Sequence, residues 1–102
     1  MTDKELLSLA AKAARLEPNG VYGWKYEGDD CIWNPLTDDG DALRLAVKLK
    51  MNVEIDFDRV DVWLTSNETT EYLYDNPEPT DPYAATRRAI VRAAAEIGRS
   101  MG

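Results

Sequence analysis

The sequence predicts an α+β fold in the order α-β-β-α-β-β-α, a sandwich of three helices on a four-stranded, mainly antiparallel sheet. Three observations carry this. Helix starts are written at Thr2-Asp3-Lys4-Glu5, at Thr37-Asp38-Asp39-Gly40-Asp41 and at Asp81-Pro82, each followed by apolar residues at helical spacing. Residues 52–57 and 60–64 alternate apolar and polar side chains with the period of a strand. Residues 21–33 gather strand-forming Tyr, Trp, Val and Ile around Glu27-Gly28-Asp29-Asp30. At 102 residues, the chain is read as one domain, 1–102.

The first helix is expected at about 3–16, where Thr2 and Glu5 form a capping box and Leu6, Leu9, Ala10, Ala13 and Leu16 supply the apolar stripe. Pro18-Asn19-Gly20 ends it, because proline cannot donate to the helix ladder and Asn-Gly readily takes positive φ. A hairpin follows, pairing 21–26 with 31–33. The second helix, about 38–49, opens on three aspartates placed where its dipole is positive. Ala42, Leu43, Leu45, Ala46 and Leu49 are expected to form its buried stripe, with Arg44 and Lys48 facing water. Strands at 52–57 and 60–64 form the second hairpin, with Val53, Ile55 and Phe57 on one face and Glu54 and Asp56 on the other. Residues 65–80 are polar, acidic and rich in proline, and they read as a connection without regular structure. Asp81 caps the last helix, about 82–99, with Pro82 at its first position.

Charge is unevenly distributed. Residues 1–50 carry −2, residues 51–81 carry −8 and residues 82–102 carry +3, within a total of −7. An acidic block of this size repels phosphate backbones, which disfavours nucleic acid as a partner of the whole surface. The chain has no histidine and one cysteine, Cys31. Ser-His-Asp and Cys-His catalysis are therefore excluded, as are zinc sites of the Cys/His type. Gly20, Gly23 and Gly28 match no phosphate-binding loop. The carboxylates at Asp38-Asp39-Gly40-Asp41 are accounted for by helix capping, so no metal, cofactor or catalytic residue is assigned. The lone cysteine, the lack of a secretory leader and the short apolar runs point to the cytoplasm and away from membranes.

Two groups of side chains remain as candidates for binding. The first is the acidic set Glu54, Asp56, Asp58 and Asp61 with the aromatic Trp63, on or beside the second hairpin. Presented together, these would offer a basic protein groove a negative surface. The second is Arg87, Arg88, Arg92 and Arg99 on the last helix, whose guanidinium forks suit phosphate.

The run Trp33-Asn34-Pro35 through Leu49, together with Ala85-Thr86-Arg87-Arg88-Ala89-Ile90-Val91-Arg92-Ala93-Ala94-Ala95-Glu96-Ile97-Gly98, resembles short phage and prophage proteins described as a phage α/β/α sandwich domain of unknown function. The likeness covers about 31 of 102 residues. It implies a phage accessory protein in a bacterial host and brings no catalytic residues. The family label implies helices on both sheet faces, hence three layers; the alternation of Glu54 and Asp56 favours two. The expected function is a non-enzymatic protein-interaction module acting on a host or phage protein. Two alternatives stand beside it: an acidic DNA-mimic inhibitor of a host nucleic-acid-handling or defence protein, and nucleic-acid contact through the basic last helix. Monomer and homodimer are both compatible with the sequence.

Overall fold

A computed structural model of the chain describes residues 2–18, 24–25, 33–55, 60–64, 72–75 and 81–101. Helix α1 spans Asp3–Ala14 and starts as the capping box requires: the Thr2 hydroxyl oxygen accepts from the Glu5 amide at 3.2 Å and donates to the Glu5 carboxylate at 3.1 Å. It stops because Arg15 turns left-handed at φ 58, which lets the Leu16 amide close back on the Ala11 carbonyl. Strand β1, Glu17–Pro18, then pairs antiparallel with β2, Trp24–Lys25. Proline is admissible there because a two-residue ladder has free edges. The turn expected at Asn19-Gly20 and most of the hairpin expected between 21–26 and 31–33 lie outside the described residues.

Trp33-Asn34-Pro35 shapes the entry to the second helix. Trp33 and Pro35 are buried, while Asn34 ties the turn at three points. Its side-chain oxygen accepts from the Leu36 amide at 3.1 Å, its carbonyl accepts from the Asp38 amide at 2.9 Å, and its own amide donates to Asp41 at 2.9 Å. Helix α2, Asp39–Lys48, follows with Asp38 as N-cap, accepting from the Asp41 amide at 2.8 Å. Helix α3, Pro82–Ser100, is capped by Asp81, whose carboxylate accepts from the amides of Tyr83 and Ala84.

The sheet differs from the expected one. The α+β class holds, but among the described residues the strands form a two-stranded ladder, β1-β2, and a three-stranded antiparallel sheet, β3-β4-β5, in place of one four-stranded sheet. Strands β3, Met51–Ile55, and β4, Val60–Leu64, are those expected from the alternation. The third, β5, Tyr72–Asp75, falls inside the segment read as an irregular connection. Its backbone pairs with β4 in the register Val62↔Leu73, so β4 takes its second neighbour from the following segment and not from the N-terminal hairpin. The physical reason is local: Tyr72-Leu73-Tyr74 are good strand formers, hidden in sequence by polar neighbours on both sides.

The core joins all three helices to one sheet face. Leu6 and Ala10 of α1, Leu45 of α2, Val60 and Val62 of β4, and Ile90 and Val91 of α3 belong to one buried cluster with Trp33. Helix α1 packs chiefly on α3, and α3 in turn on β4 and β5. The residues buried on α1 and α3 are mostly small, including Ala10, Ala14, Ala89 and Ala94. At Gly98 the backbones come so close that a Cβ would lie 2.0 Å from the Leu9 carbonyl oxygen, so only glycine fits.

Candidate functional site

Helix α2 carries more apolar residues than one buried face can use. Ala42, Leu45 and Ala46 are buried as expected, but Leu43, assigned from sequence to the same stripe, is 64% exposed, and Val47 one turn later is 68% exposed. The row Leu43–Val47 therefore faces outward, a second apolar line beside the one facing the core. Two further large apolar side chains are uncovered close by. Ile55, at the end of β3, is 61% exposed, and Tyr83, in the first turn of α3, is 70% exposed.

Leu43, Ile55 and Tyr83 rim one groove of about 420 Å3 between α2, β3 and the first half of α3. Ala42, Ala46, Val53 and Ile90 also line it. Val53 and Ile55 share a sheet face with Val62 and Val60, their register partners, so the groove is a stretch of the helix-facing side of the sheet that no helix fully covers. A volume of this size with an apolar lining falls in the range of small-ligand and side-chain docking sites.

One end of the groove is polar. The Arg87 side chain, only 17% exposed, donates from Nη1 to Asp39 at 2.5 Å and from Nε to the Leu36 carbonyl at 2.9 Å. These two bonds clamp α3 to the start of α2 and use two of the five guanidinium donors. The Thr86 hydroxyl at the same end donates to the Pro82 carbonyl at 2.8 Å. Asp39 is engaged in an ion pair, and the described lining is mainly apolar, which suits the holding of apolar groups.

The acidic candidates do not come together as one exposed face among the described residues. Glu54 is exposed and sits opposite Asp61 in the β3–β4 register, but Asp61 is 5% exposed and has a partner. Trp63 is half-buried, with Asn52 and Tyr72 as its register neighbours. Asp56 and Asp58 lie outside the described residues. The arginines are drawn to different neighbours: Arg87 to Asp39, Arg88 to Asp3 of α1 at 3.1 Å, and Arg99 to Glu96 at 3.2 Å. Arg92 is exposed and also has a partner. The carboxylates of the 38–41 turn are engaged as well, Asp38 as cap, Asp39 with Arg87, and Asp41 with both Asn34 and Arg44. The Trp33 indole N–H is buried and meets no acceptor among the described residues.

Sequence reasoning missed the groove. The available signal was the apolar excess on α2, where Ala42, Leu43, Leu45, Ala46, Val47 and Leu49 overfill a single stripe. Among the described residues no helix is long and apolar enough to cross a membrane. No family model, curated protein or solved structure matches this chain, and the phage resemblance rests on Trp33–Leu49 and residues 85–98 alone.

Proposed function

We propose that the chain is a non-enzymatic protein-interaction module that holds apolar side chains of a partner in the groove between α2, β3 and α3. The observation that carries this is the convergence of Leu43, Ile55 and Tyr83, all largely exposed, on one apolar depression. Exposed apolar residues scattered singly need no explanation, whereas a clustered set around a concavity marks an interaction surface. In the phage setting that the resemblance implies, the partner is a host or phage protein. The acidic-mimic and nucleic-acid readings draw less support, because Asp61 is buried and Arg87 and Arg88 are committed to Asp39 and Asp3.

The test is affinity capture from nuclease-treated bacterial lysate, comparing the native chain with a Leu43→Ser/Tyr83→Ser double variant whose circular dichroism is checked first. A partner retained by the native chain and lost by the variant is the expected result. Recovery of the same partner by both proteins, or of partners only when nucleic acid is intact, would refute the reading.

A further inference from the structure

We draw no further inference here: the strongest candidate, the apolar groove between α2, β3 and α3 with Arg87 at its polar end, belongs to the site already described, and with the Arg87 guanidinium paired to Asp39 and bonded to the Leu36 carbonyl nothing in the structure shows what covers it.

Discussion

Helix α3 borders two surfaces that are built on opposite plans. Against α1 it presents Gly98, and the helices close to the point where a methyl group at position 98 would collide with the Leu9 backbone. Against α2 and β3 it presents Ile90, Arg87 and Tyr83, and about 420 Å3 stays unfilled. Small side chains let backbones approach and leave nothing to offer a partner; larger ones with no counterpart opposite leave an opening. On the proposed reading, the stability of this fold and its binding surface lie on different faces of one helix, so each should be changeable with limited effect on the other.

Three substitutions sharpen that contrast, in decreasing order of effect on stability. Leu45→Ala, on the fully buried side of α2, is expected to cost about 3 kcal/mol in urea denaturation, from lost transfer energy and the cavity left behind. Gly98→Ala is expected to cost about 2 kcal/mol, because the seam must open to admit the Cβ and the gain in helix propensity offsets only part of the strain. A melting curve for Gly98→Ala that overlays the native one would show that the seam is looser than its geometry. Leu43→Ser, two residues from Leu45 and on the other face, should move stability by less than about 0.5 kcal/mol while removing the capture described above. A large loss of stability there would mean that Leu43 is covered in solution and that the groove is closed.

Much of the fold was legible because its signals are local. The capping box at Thr2, the Asp38 cap and Asp81-Pro82 fix the three helix starts, and each helix end falls within two residues of its expected place. Strands β3 and β4 were readable from strict alternation. The grouping of strands was not, since β5 is four residues long and its identity depends on pairing with β4. The site was harder still. Leu43 looks like a core residue when α2 is read alone, and it is exposed only because neither β3 nor α3 reaches it, a fact of tertiary geometry that no spacing within 38–49 contains. Asp61 shows the converse, a charged residue in an alternating strand that ends up buried.

The closeness of Leu9 to Gly98 also bears on the order in which the chain can fold during synthesis. The seam joins residues about 90 positions apart, so the loop it closes is long and its formation waits for α3 to leave the ribosome. Strands β3, β4 and β5 are neighbours in sequence and can pair before that, but the apolar side of α1 carrying Leu6, Ala10 and Ala14 lacks its main neighbour until α3 is made. A nascent chain halted before residue 82 would therefore lack the helix on which α1 chiefly packs.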